Sequence, residues 1–219
     1  MQSVNLLFIG RPGSGKSTAI HHILAWAKEQ DLATEAMRDY DILYSMFQSD
    51  MREGIQSRFK PTAFGGFDVQ NFSVLDEALE QLQTQVEELP KPEKPRMVTI
   101  ELARNDYSKE LKFSSEFLKK CYILFIEADL QICIERIQQR VQQRKHSDQH
   151  YVSEHIMNTY YSHNNSDFME SPESKELLHC KDIFTYYNTD SPEKLEDKAI
   201  TFVRDILTRE VSQQKVLVR

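Results

Sequence analysis

The sequence has few cysteines and no long apolar run, and both features limit the classes of protein it can belong to. Its three cysteines, Cys121, Cys133 and Cys180, are widely spaced and form no Cys-x-x-Cys pair, which excludes a disulfide framework and a zinc-ribbon site. No apolar stretch reaches the roughly 20 residues that cross a bilayer, and the N-terminus shows no basic and apolar leader pattern. We therefore expect reduced thiols, a cytoplasmic location and no membrane association.

The charge balance argues against a polyanionic partner. The 219 residues carry a formal net charge of −7, and a surface of that sign repels phosphate backbones unless a local basic groove overrides it. Nucleic acid is therefore a disfavoured partner. A chain of this length can form one α/β domain that buries roughly 70% of its unfolded surface, and a homodimer is left open.

Residues 5–18 contain the most informative motif of the chain. The apolar residues Leu6 to Ile9 run into Gly10-x-x-x-x-Gly15-Lys16-Ser17, and helix-forming residues follow at once. A strand before and a helix after are the context that a phosphate-binding loop requires. Glycines let successive backbone N–H groups turn toward phosphate oxygens, and the N-terminal end of the following helix adds positive charge.

This loop predicts a binding site for a nucleoside triphosphate and Mg²⁺. Lys16 can reach the β- and γ-phosphates, and the Ser17 hydroxyl can ligate Mg²⁺. A glycine-rich turn without a ligand is the structural alternative, but every position of the motif and both flanks match. The residues expected to bind the nucleotide are Gly10, Arg11, Pro12, Gly13, Ser14, Gly15, Lys16, Ser17 and Thr18.

Five short apolar runs predict buried parallel strands, at 4–9, 33–38, 97–102, 121–126 and 183–187. Predicted helices alternate with them, at 17–30, 74–89, 130–144, 153–161 and 192–210. The last residues, 211–219, are expected to be a frayed tail. Alternating strands and helices predict an α/β fold with a five-stranded parallel sheet and helices on both faces. In such sheets ligands bind beyond the carboxyl ends of the strands.

No Asn-Lys-x-Asp follows a late strand, which disfavours a guanine-specific GTPase. The order of motifs resembles the P-loop kinase superfamily, which includes nucleoside, nucleotide, shikimate and polynucleotide kinase-like enzymes. The resemblance spans nearly the whole chain but is specific only at the phosphate loop. It implies a single domain over 1–219 with the three-layer P-loop NTPase fold. It also implies ATP and Mg²⁺ as ligands, an acceptor-covering insertion at 42–92 and a helical lid at 137–165.

The resemblance further implies roles for two carboxylates in Met37-Arg-Asp39-Tyr-Asp41, after the second strand. In shikimate kinase-like enzymes an Asp-x-Asp pair at this edge places one carboxylate near the metal and the other near the acceptor hydroxyl. Asp39 is thus the expected catalytic base and substrate contact, and Asp41 the expected metal or substrate contact. The alternative is that one of them caps the helix predicted from Ile42.

Glu101 and Arg104 stand where the third strand ends, in a segment that resembles a Walker B element. Glu101 would hold Mg²⁺ through water or orient the nucleophile, although many related enzymes carry Asp here. Arg104 would grip a substrate phosphate, and its structural alternative is a surface salt bridge. Arg58, in the insertion, would receive an acidic group of the substrate, or else it lies in a solvated loop.

Arg136, Arg140 and Arg144 recur at every fourth residue and therefore share one face of a helix. The stretch resembles the lid of nucleotide kinase-like enzymes, whose arginines close over the phosphates. The resemblance thus implies a catalytic role for Arg140 and Arg144, beside Lys16. A solvated basic face is the structural alternative. Asn188, after the fifth strand, would lie beside the adenine.

Together these residues favour a kinase that moves the γ-phosphate of ATP to a hydroxyl or phosphate group of a small molecule. A nucleoside, a nucleotide or a similar metabolite is the expected acceptor. The sequence leaves two other functions open. One is a polynucleotide 5′-hydroxyl kinase, and the other is a nucleotide-binding regulatory NTPase that acts through a protein partner.

Overall fold

A five-stranded parallel sheet forms the centre of the protein. The computed structural model describes residues 3–62, 65–143, 151–189 and 192–217. Its strands in chain order are β1 Val4–Ile9, β2 Ala33–Arg38, β3 Phe59–Pro61, β4 Phe67–Val69, β5 Arg96–Leu102, β6 Cys121–Glu127 and β7 Asp182–Tyr187. The main sheet has the order β2-β5-β1-β6-β7, and β3 pairs with β4 in a separate antiparallel hairpin. The predicted fold class and the five predicted sheet strands are confirmed.

Helices cover both faces of the sheet. They are α1 Lys16–Glu29, α2 Asp39–Glu53, α3 Ser73–Glu87, α4 Tyr107–Glu110, α5 Ser115–Leu118, α6 Leu130–Gln143, α7 Glu154–Thr159, α8 Ser166–Glu170, α9 Pro172–Leu177 and α10 Pro192–Leu217. The short helices α4, α5, α8 and α9 were not predicted, because segments of four to six residues show no helical period. No helix among the described residues has the length and apolar character to span a bilayer.

The central strand β1 explains why the apolar runs are continuous. Leu6 and Phe8 pack against α1 and α10 on one face, and Leu7 and Ile9 pack against α3 on the other. A strand covered on both faces carries apolar residues at every position. The edge strands β2 and β7 are only partly buried, which is why their sequence signal is weaker.

Two expectations about local structure are wrong. The helix after β2 is not confined to residues 42–47 but runs from Asp39 to Glu53, because its buried residues Ile42 and Leu43 continue a face that packs against α3. The frayed tail expected at 211–219 is also wrong, because α10 continues as far as Leu217.

The carboxyl ends of the strands bring the candidate site residues to one edge of the sheet. β1 lies between β5 and β6, so the chain crosses over on opposite sides of β1 and leaves a crevice at its end. The loop after β1 opens into this crevice. The segments after β2, β5 and β7 carry Asp39, Arg104 and Asn188 to the same edge.

An ion pair fastens the β3–β4 hairpin to the helices beside it. The Asp50 carboxylate on α2 is 1% exposed and accepts two hydrogen bonds from Arg58, one of them from Nε at 2.8 Å. Arg58 Nη1 also lies 3.5 Å from a carboxylate oxygen of Glu77 on α3. The hydrogen bond from Arg58 holds the pKa of Asp50 below its ordinary value.

We predict that this pair makes stability depend on pH. A carboxyl group whose pKa is lowered on folding stabilises the protein above its unfolded pKa of about 3.9, and this contribution is lost as pH falls through the folded value. The Asp50→Asn variant should lose about 1–2 kcal/mol of its free energy of unfolding at neutral pH. In urea unfolding, this free energy should also change less than that of the wild type as pH falls into the acid range.

The control is Glu116→Gln, because the Glu116 carboxylate is 78% exposed and pairs with Lys119 on the surface. Its urea midpoint should match that of the wild type. Equal midpoints for Asp50→Asn and Glu116→Gln would show that the Asp50–Arg58 pair does not fasten the hairpin.

Candidate functional site

The phosphate loop can adopt its shape only because glycine occupies its tight positions. Gly10 has φ 147°, and a Cβ there would lie 2.2 Å from the carbonyl oxygen of Ile126 on β6. Gly15 has φ 110°, and a Cβ there would lie 2.4 Å from Nδ2 of Asn188. The outer side of the loop is thus packed against the protein, and the concave inner side is left for a ligand.

Lys16 lies at the start of α1 and crosses the mouth of the loop. Its Nζ donates to the carbonyl oxygens of Gly10 and Arg11, each at 2.9 Å. These bonds use two of the three N–H donors of an ammonium group, so one donor remains for a phosphate oxygen. Burial lowers the pKa of Lys16, although Glu101 and Asp39 partly oppose the shift.

Ser17 and Glu101 form an oxygen-rich pair beside Lys16. The Ser17 hydroxyl donates to a carboxylate oxygen of Glu101 at 2.8 Å, and the same oxygen lies 4.0 Å from Lys16 Nζ. A hydroxyl and a carboxylate are hard ligands of the kind that Mg²⁺ takes alongside substrate phosphates and water. The described residues contain no cluster of three or more His, Cys, Asp or Glu side chains that could hold a metal ion.

Asp39 and Arg104, predicted from separate motifs, meet in a buried ion pair. Nη1 of Arg104 donates to Oδ2 of Asp39, and Nη2 donates to the carbonyl oxygen of Leu75 at 2.9 Å. The Arg104 side chain is 1% exposed. Burial alone would lower the pKa of Arg104, but the Asp39 carboxylate holds it above its ordinary value. The surface salt bridge considered for Arg104 is therefore replaced by a buried one.

The structure does not bring Asp41 or Arg58 to the same place. Asp41 accepts two hydrogen bonds from Arg38, at 3.0 and 2.9 Å, and its side chain is 52% exposed. Asp39 and Asp41 both lie in the first turn of α2, where two residues of separation point about 200° apart. Arg38, not either aspartate, is the N-cap residue of α2. Arg58 is bound by Asp50, as described above.

The arginines of α6 lie over the phosphate loop. Arg136 donates to the carbonyl oxygens of Gly13, at 3.5 Å, and Asn188, at 3.2 Å. Arg140 donates through Nε to the carbonyl oxygen of Arg136 at 3.4 Å. Burial lowers the pKa of Arg140, and nearby Glu101 opposes the shift. Arg144 lies outside the described residues.

Asn188 supports the phosphate loop from outside. Its Nδ2 donates to the carbonyl oxygen of Ser14 at 2.7 Å, and its backbone N–H donates to the carbonyl oxygen of Glu127 at 2.7 Å. The side chain, 4% exposed, therefore fixes β7 against the loop. The predicted contact with adenine stays a prediction.

Two supporting residues were missed from the sequence. The Tyr107 hydroxyl accepts hydrogen bonds from the N–H of Gly10, at 2.7 Å, and the N–H of Arg104, at 3.3 Å. Arg11 was assigned to the nucleotide, but its buried guanidinium pairs with Glu127 and donates to the carbonyl oxygens of Tyr161 and His163, at 2.9 and 2.7 Å. The contacts of Tyr107 with Gly10 and of Arg11 with Glu127 have no local sequence signal, because about 100 residues or more separate the partners.

The phosphate loop, the Ser17–Glu101 pair and the Asp39–Arg104 pair line one cavity of about 360 Å³. Six of the nine loop residues predicted to bind nucleotide line this cavity. The other three, Gly10, Arg11 and Ser14, do not. The cavity also reaches Asp39, Glu101, Arg104, Arg136, Arg140 and Asn188, and then extends between α2, α3 and α7. A phosphate-binding end and a second, less polar end therefore share one space.

The sheet order, the phosphate loop and the residues around it give this chain the fold of the P-loop kinases. No protein-family model and no curated protein sequence matches it. The structure of Mycobacterium tuberculosis APS kinase CysC in complex with AMPPNP and APS is similar, with 13% identity, a TM-score of 0.53, and coverage of 93% of this chain and 98% of that one.

A second similar structure is Chaetomium thermophilum Kti12 in complex with ADP-AlF3. It has 13% identity and a TM-score of 0.51, and the match covers 92% of this chain and 97% of that one. At these identities the likeness shows the shared fold alone.

We predict that Arg11 stabilises the protein by neutralising a buried carboxylate. The side chains of Arg11 and Glu127 are 8% and 10% exposed, and removal of one partner of a buried pair costs about 3–5 kcal/mol. Because burial already raises the pKa of Glu127, the loss in Arg11→Ala should be largest at alkaline pH, where the lone carboxylate must stay charged.

The matched control is the double variant Arg11→Ala/Glu127→Gln, which removes the charge together with its partner. Urea unfolding should show that it regains a large part of the lost stability. If the double variant is no more stable than Arg11→Ala, the buried charge is not the cause.

Proposed function

We propose that this protein is an ATP- and Mg²⁺-dependent phosphotransferase that acts on a hydroxyl group of a small molecule. The observation that carries the proposal is the single cavity that joins the phosphate loop and the Ser17–Glu101 pair to the buried Asp39–Arg104 pair. The kinase fold of the similar structures supports the same class of reaction.

The phosphate loop and Lys16 would hold the β- and γ-phosphates. The loop amides offer hydrogen bonds at fixed positions, so little reorganisation is needed when charge moves during transfer. Ser17 and Glu101 would hold Mg²⁺, and the metal would neutralise charge on the same phosphates when bound. Arg136 and Arg140, which line the cavity near the loop, would stabilise the transferring group.

Asp39 would position the acceptor hydroxyl. Arg104 engages Oδ2 of its carboxylate, which fixes the carboxylate group and leaves Oδ1 to accept the hydroxyl proton. In the transfer, the bond from the γ-phosphorus to the bridging oxygen breaks and a bond from phosphorus to the acceptor oxygen forms. The hydroxyl proton passes to Asp39, and ADP leaves with the bridging oxygen. Phosphoryl transfer has a loose transition state, so this proton need not leave early.

The variant Asp39→Asn should separate binding from turnover. It should lower acceptor-dependent ADP release by about 10²- to 10⁴-fold while AMPPNP affinity stays within a few-fold of the wild type. The measurement is a screen of nucleosides, nucleotides and small alcohols, with Lys16→Ala as the blank. Normal turnover by Asp39→Asn would overturn its assignment.

Asp41→Asn is the matched second variant, two residues away, and it tests whether Asp41 contacts the metal. Because Asp41 lies on the surface with Arg38, turnover should be unchanged. Slow hydrolysis that no acceptor stimulates would favour a regulatory NTPase, and salt-dependent binding of an oligonucleotide would favour a 5′-hydroxyl kinase.

The lowered pKa of Lys16 predicts that nucleotide affinity depends on pH. Polyphosphate binds the ammonium form, so binding raises the pKa of Lys16 and takes up a proton wherever the free protein has lost it. Affinity should therefore fall as pH rises through the lowered pKa of the free protein, below the ordinary value of 10.5. Calorimetry with AMPPNP between pH 7 and pH 10 should show this fall, and Lys16→Ala should lack it.

A further inference from the structure

The end of the cavity away from the phosphate loop, here called the acceptor compartment, is unusually aromatic. Among the described residues, five aromatic ones line it: Tyr40, Phe67, Phe72, Tyr160 and Tyr161. Aliphatic side chains of α2, α3 and α7 lie between them. A compartment of this composition favours a ligand with a large apolar surface.

The ring of Phe72 offers an accessible surface in this compartment. Phe72 stands at the start of α3 and stacks on Tyr160, with ring centroids 4.5 Å apart and an angle of 26° between the planes. It keeps 43% of its surface exposed. Phe67, by contrast, is 9% exposed and stacks on Phe47. Phe72 is therefore an aromatic residue that both lines the cavity and can gain contact area from a ligand.

Among the described residues, several polar groups of the acceptor compartment are already engaged in hydrogen bonds within the protein. Asp68 accepts hydrogen bonds from the backbone N–H and the hydroxyl of Ser153, at 3.4 and 2.7 Å. The Tyr160 hydroxyl donates to Glu110. A polyol has a hydroxyl on nearly every carbon, and each one buried without a partner costs about 1–3 kcal/mol. The compartment thus disfavours such a ligand.

Arg104 Nε is a buried donor for which the described residues provide no hydrogen-bond partner. The residue lines the cavity, and its Nη atoms are already bonded to Asp39, Ala103 and Leu75. Buried donors are nearly always satisfied. This atom has almost no accessible surface, so a ligand in the cavity would reach it only if the Arg104 side chain moved.

We propose that the acceptor is a hydroxyl compound with a flat aromatic ring, which packs against the exposed ring of Phe72. The inference rests on the proposed function and narrows its substrate class, because it disfavours polyols that lack an aromatic ring.

The test is saturation-transfer NMR titration of the protein with Mg²⁺ and AMPPNP bound. The ring probes are adenosine, uridine, benzyl alcohol and the three pyridinemethanols, and the polyol probes are gluconate and myo-inositol. Benzyl alcohol and the pyridinemethanols have the same size and differ by one hydrogen-bond acceptor. The variants are Phe72→Ala and, as a matched control, Leu177→Ala, which is 56% exposed and does not line the cavity.

At least one ring probe should bind, and neither polyol should. Phe72→Ala should weaken ring binding about 3- to 10-fold, the range expected for loss of an aromatic contact, and Leu177→Ala should leave it unchanged. AMPPNP binding by both variants shows that they are folded.

Other outcomes overturn the proposal. These are binding of a polyol, no binding of any ring probe to the AMPPNP complex, or equal ring binding by Phe72→Ala and the wild type. Failure of AMPPNP itself to bind the wild type would instead overturn the proposed function, so the two failures are distinguishable.

Discussion

The site depends on keeping the phosphate loop open while its backbone N–H groups face inward. Side chains of the loop itself and of other elements hold this shape. The Tyr107 hydroxyl accepts from the N–H of Gly10, and the Asn188 side chain donates to the carbonyl oxygen of Ser14. Lys16 donates across the mouth of the loop to the carbonyl oxygens of Gly10 and Arg11. Because the loop is already ordered, phosphate binding does not have to supply the free energy of ordering it.

The same supports connect the phosphate loop to the acceptor compartment. The Tyr107 hydroxyl accepts from both Gly10 and Arg104, so one group sets the position of the loop and of the residue that holds Asp39. Arg11 reaches from the loop to the carbonyl of Tyr161, and Tyr161 lines the acceptor compartment. Hydrogen bonds of Tyr107 and Arg11 therefore connect the two ends of the cavity.

The sequence was sufficient for the sheet and for the phosphate loop, because both have local signals. Continuous apolar runs identified β1, β5 and β6, and the glycine spacing identified the loop together with Lys16 and Ser17. It also named Asp39 and Arg104, but not that they pair, since 65 positions separate them. The surface position of Asp41 depends on where α2 begins, and the partner of Arg58 depends on the path of the hairpin. Such facts follow from tertiary packing, which no local pattern records.

The distribution of charge explains how a protein with a negative net charge could bind a phosphorylated ligand. The net charge is −7, yet more cationic than anionic side chains line the cavity. The cations are Lys16, Arg38, Arg104, Arg136 and Arg140, and the anions are Asp39, Asp68 and Glu101. At physiological ionic strength a charge is screened over about 8 Å, so a small anion inside the cavity interacts chiefly with its lining.

A long nucleic acid would instead have to cross the acidic exterior, where repulsion of its phosphates would oppose binding. Among the functions that the phosphate loop allows, the charge pattern therefore favours a small acceptor that fits wholly inside. The aromatic residues of the acceptor compartment also favour an acceptor that is fully enclosed. Burial of an apolar ring is most favourable where water is excluded.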